Sequence, residues 1–455
     1  MQRLKLFIIL LILAVPSLFS QEELKTQKFL DLLMSSHYFD AFEYYDRYEV
    51  EIGLEDSLVG KTFYHAFKNA ALGEYDTAVG HFNDIFNTVS LDSEYPLIET
   101  LSSFSFNIQK HHNAAYLFGK LIEIDSVPSI SDEQIYDRMK YNIQLRDLCT
   151  ILQQEEEMKI CFGDSSVAVV DFEQSYNVPI LQVGVNQHHT RALFDTGVTP
   201  PLLMTRQMAD SVGVRIICDE FMMSVNNIPT SVTYGILDSL MIDNLVVHNL
   251  LTLIWNPGTS DIFNHLDVGV VIGLPLIGQI GEVTFDFENE KLILSTKEES
   301  CKDNYNLLMY GGDLYLRASV NDIPHTGYID TGSSVDEITV SNAFYSIHKD
   351  DFGVVKFNYT DTAHFINLKD ERSMAVMENL KWSLRGRFPA VDIAEKSRIH
   401  LNTSSFEPGV YDAFYGFKFM QRFKKVVFDF NKMEFRPYYD PVWDALRRDA
   451  VLESN

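Results

Sequence analysis

The sequence predicts an α plus all-β multidomain protein, with a helical, repeat-like domain at the N-terminus and a duplicated, mostly β part after it. Three observations carry this. From residue 21 to about 160, apolar and aromatic residues recur three and four apart, which is helical periodicity. Near residue 165 the texture changes to short runs rich in β-branched residues, separated by turn clusters. The later part also holds two copies of one unit, set 135 residues apart.

At 455 residues the chain has room for two or three domains. Its net charge of −27 would repel phosphate, so nucleic-acid binding is not expected. Arg3 and Lys5 precede a continuous apolar run from Leu6 to Val15 and then Pro16-Ser17-Leu18-Phe19-Ser20. This reads as a signal peptide over residues 1–20, so a secreted or periplasmic protein is expected. The run is short for a membrane-spanning helix, and no later stretch is long enough, so no transmembrane segment is expected after signal removal.

Residues 21–165 are expected to form the helical domain. Phe29, Leu30, Leu32 and Leu33 give one apolar face, and Phe39, Phe42 and Tyr45 the next. Ala41, Ala78 and Ala114 stand 37 and 36 residues apart, each followed four positions later by an aromatic: Tyr45, Phe82 and Phe118. A small residue and an aromatic one turn apart share a helix face, so neighbouring helices can approach at the Ala while the ring fills the groove. The pattern resembles degenerate tetratricopeptide repeats, although the Trp-Leu-Gly signature is missing. An irregular helical bundle is the alternative. The resemblance implies a possible protein partner for this domain.

Gln153 to Glu157 and Gly163-Asp164-Ser165-Ser166 mark the join. Val167 to Val170 and Val178 to Val185 then read as strands. The first copy centres on Asp195-Thr196-Gly197-Val198-Thr199, entered from Ala192-Leu193-Phe194. The second centres on Asp330-Thr331-Gly332-Ser333-Ser334, entered from Tyr328-Ile329. Asp-Thr-Gly is expected roughly 0.1 times by chance in a chain of this length. Two copies in matching contexts are a much stronger signal. Val185-Asn186 and Val320-Asn321 stand ten residues before their Asp. Val271-Ile272-Gly273 and Phe414-Tyr415-Gly416 follow, and Phe285-Asp286-Phe287 and Phe428-Asp429-Phe430 each place an Asp 13 residues after the Gly.

Over residues 171–440 this arrangement resembles the pepsin-like and retropepsin-like aspartic proteases. The resemblance implies a bilobal, mostly β fold with pseudo-twofold symmetry. Lobe 1 is expected over 166–298 and lobe 2 over 305–440, with the polar stretch Glu298 to Asn304 as linker and a charged tail over 441–455. The tail is expected as a short surface helix. Met222 to Thr233 can form a hairpin around Asn226-Asn227, and Tyr234 is the candidate for the tyrosine that this family carries on a flap. The alternative is that Tyr234 is an ordinary strand residue. Val354 to Leu384 is less regular, and no second flap is assigned there.

Two carboxylates within hydrogen-bond reach cannot both ionise, so they share one proton. The ionised member can take a proton from water while the protonated member donates to a carbonyl oxygen. Asp195 and Asp330 are therefore the expected catalytic pair. Gly197 and Gly332 let each turn close tightly. By resemblance, Thr196 and Thr331 would bond across the interface. Ser333 stands where the pepsin-like pattern usually has a hydroxyl that supports its Asp, and Val198 in the other copy cannot do so. The plainer role for each Asp alone is a turn or cap.

No His-Glu-x-x-His, Gly-x-Ser-x-Gly or phosphate-binding glycine loop occurs, and the pairs His111-His112 and His188-His189 lack the spacing of two metal ligands on one helix face. No metal site or cofactor is expected. Cys149, Cys161, Cys218 and Cys301 can form two disulfides or remain buried thiols. The expected function is an aspartic endopeptidase acting on a peptide or protein substrate. The alternatives are a peptide-binding protein that has lost catalysis and a scaffold working through its helical repeats.

Overall fold

The computed structural model describes residues 21–34, 37–49, 52, 58–86, 98, 102, 105–106, 109–126, 133–225, 228–255, 262–298, 302, 304–310, 312–334, 338–352, 355–364, 369–384, 393–400 and 411–453. The expected signal segment and the turn Asn226-Asn227 lie outside these. The chain divides into two compact units, Met1–Glu155 and Glu156–Asn455.

In the first unit the helices are Gln21–Met34, Tyr38–Tyr48, Leu58–Ala71, Tyr75–Phe86, His111–Asp125 and Glu133–Leu152. Consecutive helices pack in pairs, the first with the second, the third with the fourth and the fifth with the sixth. Ala41, Ala78 and Ala114 are all fully buried, as close helix approach requires, and Tyr45 and Phe118 are buried with them. Tyr45 stacks on Tyr64 at 3.7 Å between ring centroids, and Phe42 meets Tyr64 and Phe67 edge-on. No helix among the described residues is long and apolar enough to cross a membrane.

The second unit is mostly β. Its strands begin with β1 (Lys159–Phe162), β2 (Val167–Glu173), β3 (Ile180–Val185), β4 (His188–Asp195) and β5 (Leu202–Thr205). There follow β6 (Arg215–Val225), β7 (Ile228–Ile242), β8 (Leu245–Trp255), β9 (Val270–Gly273), β10 (Glu282–Asp286) and β11 (Lys291–Ser295). The second half contributes β12 (Leu307–Tyr310), β13 (Asp313–Val320), β14 (Ile323–Asp330), β15 (Ile338–Val340) and β16 (Val355–His364). It ends with β17 (Lys369–Ser383), β18 (Ile393–His400), β19 (Ala413–Gly416), β20 (Lys425–Asp429) and β21 (Glu434–Tyr438).

The strand path β3-β4-β9-β5-β8-β7 closes through a β3–β7 pairing, giving a barrel-like sheet. The path β13-β14-β19-β15-β18-β17 closes in the same way through β13–β17. The directions match as well. β4 runs parallel to β9 as β14 does to β19, and β5 runs antiparallel to β9 as β15 does to β19.

The repeated Val-Asn has a physical reason. Asn186 (φ 51°) and Asn321 (φ 50°) open the two-residue turns of the β3–β4 and β13–β14 hairpins, in the left-handed conformation that Asn tolerates. Each also clamps its hairpin to a neighbouring strand. The Asn186 amide oxygen accepts from Ser239 N at 3.0 Å, and that of Asn321 accepts from Lys381 N at 2.8 Å.

The Phe-Asp-Phe segments build the core between the halves. Phe285 packs against Phe172, Phe194 and Phe417 at 5.7, 5.9 and 5.4 Å. β10 and β20 pair antiparallel, with Val283 facing Phe428, Thr284 facing Val427 and Phe285 facing Val426. Under the repeat, Val283, Thr284 and Phe285 correspond to Val426, Val427 and Phe428, so Thr284 pairs with its own equivalent and the two flanking pairs are equivalent to each other.

Three expectations are revised. The helical segment ends before residue 165, because β1 pairs with β8 and belongs to the second unit. A second long hairpin, β16–β17, occupies the stretch where no flap was assigned. The tail is a helix, Pro441–Glu453, but it is anchored rather than merely superficial. Asp444 is 1% exposed and receives both Arg422 Nε and Nη2 at 3.0 Å and Tyr439 Oη at 3.0 Å. Charge in a sequence suggests surface, but a paired carboxylate can be buried.

Candidate active site

Each Asp ends a strand beside a glycine. Asp195 pairs in register with Gly273, and Asp330 with Gly416. The chain after each glycine is tied back to its Asp turn. Leu274 N donates to Val198 O at 2.9 Å, and Phe417 N donates to Ser333 O at 3.0 Å. A side chain on Gly273 would collide with the carbonyls of Val198 and Pro200, so the apolar-apolar-Gly segments hold the turns at close range.

The two turns meet. Thr196 N donates to Thr331 Oγ1 at 2.9 Å, and Thr331 N donates to Thr196 Oγ1 at 3.0 Å. Each hydroxyl then donates onward across the interface, Thr196 Oγ1 to Ile329 O at 3.1 Å and Thr331 Oγ1 to Phe194 O at 2.7 Å. Thr196 is 1% exposed and Thr331 fully buried. These reciprocal bonds satisfy groups that would otherwise be buried without partners.

Each Asp accepts from the glycine of its own turn, Asp195 Oδ1 from Gly197 N at 2.7 Å and Asp330 Oδ1 from Gly332 N at 2.9 Å. Each glycine also abuts the opposite carboxyl. A Cβ on Gly197 would stand 2.6 Å from Asp330 Cγ, and one on Gly332 would collide with Asp195. The two carboxyl groups are near enough that each shifts the other's proton affinity.

Asp195 is buried, while Asp330 keeps a partly exposed edge. Burial raises the proton affinity of Asp195, opposed by the Gly197 N–H, the Asp330 contact and the Gly332 N–H. Burial also raises that of Asp330 well above the carboxylate range, and next come the charge and hydrogen bond of Asp195, partly offset by the Gly332 N–H. One shared proton follows, because two charges this close in a poorly solvated site cannot coexist.

Ser333 follows the second turn, with its N–H 3.3 Å from Asp330 O, and Val198 is buried after the first. Tyr234 lies on β7, seven positions beyond Asn227, buried and edge-on to Phe221 at 5.2 Å. It is a packed strand residue of the β6–β7 hairpin. Cys149 is buried and Cys161 exposed, both as free thiols; Cys218 is half-buried on β6, and Cys301 lies outside the described residues. Among the described residues, no set of three or more His, Cys, Asp or Glu side chains is arranged to hold a metal ion.

The sequence reading missed several groups near Asp330. Asp313, Tyr315 and Tyr328 lie on β13 and β14, and the Tyr315 hydroxyl donates to Asp313 Oδ2 at 3.0 Å. Behind them, Tyr415 contacts His325 and accepts from Trp382 Nε1 at 2.9 Å, all buried. The usable signal was the 135-residue offset, which sets Asp313 on Val178.

No protein-family model matches the chain, and no curated protein does. Among solved structures it is similar to an aspartic proteinase from Irpex lacteus, at 12% identity and a TM-score of 0.37, over 58% of this chain and 95% of that one. It is also similar to a retropepsin-like aspartic protease from Rickettsia conorii, at 15% identity and a TM-score of 0.22, over 31% and 97%. At these values the reading of the site rests on its own residues and distances.

Proposed function

We propose that the second unit is an aspartic-type peptide hydrolase in which Asp195 and Asp330 activate a water molecule. The observation that carries this is the reciprocal Thr196–Thr331 bonding, with the glycine of each turn set against the carboxyl group of the other. A structural turn needs no opposed partner at such a cost in desolvation, whereas general acid–base chemistry needs two carboxyls with one proton. In this reading the unit has two lobes related by a pseudo-twofold axis near Thr284 and Val427, supported by their pairing and by the matched strand paths. The β6–β7 and β16–β17 hairpins are the candidate covers of the cleft. The substrate is a peptide or protein, no cofactor takes part, and the protein is exported by its N-terminal signal. The helical unit is a tetratricopeptide-like docking module, a reading supported by its three buried alanines.

The test is hydrolysis of an unfolded protein from about pH 3 to about pH 8, with and without a hydroxyl-bearing transition-state mimic. Asp195→Asn and Asp330→Asn should each abolish cleavage in a folded protein, and the double variant should lose no more, since the pair acts as a unit. Near wild-type turnover in either single variant would overturn the assignment.

A further inference from the structure

The floor beneath the two carboxyls differs between the copies. β13 and β14 pair with Leu314 facing Ile329 and Tyr315 facing Tyr328. One more step of that register sets Asp313 opposite Asp330. Side chains alternate along strands, so Asp313, Tyr315, Tyr328 and Asp330 share one face. In the first copy Ile180 faces Leu193, Phe194 N donates to Pro179 O at 3.1 Å, and the next step sets Val178 opposite Asp195. Val178, Ile180 and Leu193 are all buried. Asp195 thus stands on hydrocarbon, while Asp330 stands on a third carboxyl and two phenols.

Asp313 is held in place. Its Oδ2 accepts from the Tyr315 hydroxyl, and the preceding Gly312 (φ +91°) packs against Thr199 of the first Asp turn. Among the described residues no cation pairs with it. The titratable groups around it are Tyr315 on its own strand, Tyr328 and Asp330 across the ladder, Tyr310 across the β12–β13 turn, Tyr411 stacked on Tyr328 at 5.5 Å, and Asp195 beyond.

We propose that Asp313 is a positioning residue of the Asp195–Asp330 pair, keeping the shared proton on Asp330 and leaving Asp195 as the member that takes the proton from water. The inference rests on the hydrolase reading. Once ionised, Asp313 is a like charge facing Asp330 across the β13–β14 ladder. A proton on Asp330 separates the two charges, whereas a proton on Asp195 leaves Asp313 and Asp330 repelling each other. The charge of Asp313 is among the causes that raise Asp330. Burial lifts Asp313 itself to about 6, against the Tyr315 bond. It is therefore neutral on the acid side of the activity profile and charged on the alkaline side, where it opposes loss of the last proton.

The experiment measures kcat/KM against pH on one peptide, using the full chain as wild type, Asp313→Asn, Asp313→Val and Tyr315→Phe, with circular dichroism for each. Asp313→Asn should move the alkaline limb to lower pH by about one unit or more and leave the acid limb in place. Asp313→Val, which installs the first copy's residue, should do the same. Tyr315→Phe removes a bond to the charged form of Asp313 and should give a smaller shift in the same direction. If wild type cleaves and the limbs of both Asp313 variants superpose on it, this assignment falls and the hydrolase reading stands. If wild type shows no cleavage that Asp195→Asn abolishes, both fall. Should neither Asp313 variant fold, an unmoved alkaline limb in Tyr315→Phe overturns the assignment.

Discussion

Replacing Thr331 by Val tests whether the two Asp turns are held as one rigid body. The side chains have nearly the same shape, so the change removes hydrogen bonding with little change in volume. Thr331 Oγ1 accepts from Thr196 N at 2.9 Å and donates to Phe194 O at 2.7 Å, in a fully buried position. Thr331→Val leaves both groups without those partners, at about 1–3 kcal/mol each and therefore about 2–6 kcal/mol together. That is a large share of the ~5–15 kcal/mol that holds a typical protein folded. The chain has three tryptophans, Trp255, Trp382 and Trp443, all in the second unit, so their fluorescence in a urea titration follows that unit. A looser turn also moves the carboxyls, and a displacement near 1 Å can lower kcat/KM by about 100-fold. Thr331→Ser keeps the hydroxyl and should recover most of both losses. A Thr331→Val protein within about 0.5 kcal/mol of wild type, with kcat/KM unchanged, would refute the claim that these bonds hold the pair.

Two further outcomes are expected. Val198→Ser offers the Asp195 carboxylate a hydroxyl, worth about 1.5–3 kcal/mol or roughly one to two pKa units. Burial raises Asp195, so a bond to its ionised form should lower it. The singly ionised pair would then appear at lower pH, and the acid limb of kcat/KM should move down; an unmoved limb would remove the explanation. Arg422→Met strands the buried Asp444 carboxylate and should cost about 3–5 kcal/mol in the same urea titration, much of it recovered by adding Asp444→Leu. A cost below about 1 kcal/mol for the single variant would show that the C-terminal helix does not depend on this pair.

Much of the molecule was legible in the chain because it depends on short-range chemistry. Asparagine in each hairpin turn, glycine beside each Asp and the buried alanines of the helices answer local demands for a left-handed turn, a close backbone approach or a small contact. Repetition doubled each signal, which is why the Asp195 and Asp330 turns stand out in the chain. What only the tertiary structure decided is which residues meet across the chain. The Thr196–Thr331 exchange, Asp313 opposite Asp330, and Asp444 beneath Arg422 join residues 135, 17 and 22 positions apart. Strand register sets the second of these, and folding of the whole unit sets the other two. No single stretch carries that information, because a charged residue looks the same in sequence whether it ends at the surface, in an ion pair or beside another carboxyl. The physical difference is the solvent and the partners that the fold removes or supplies.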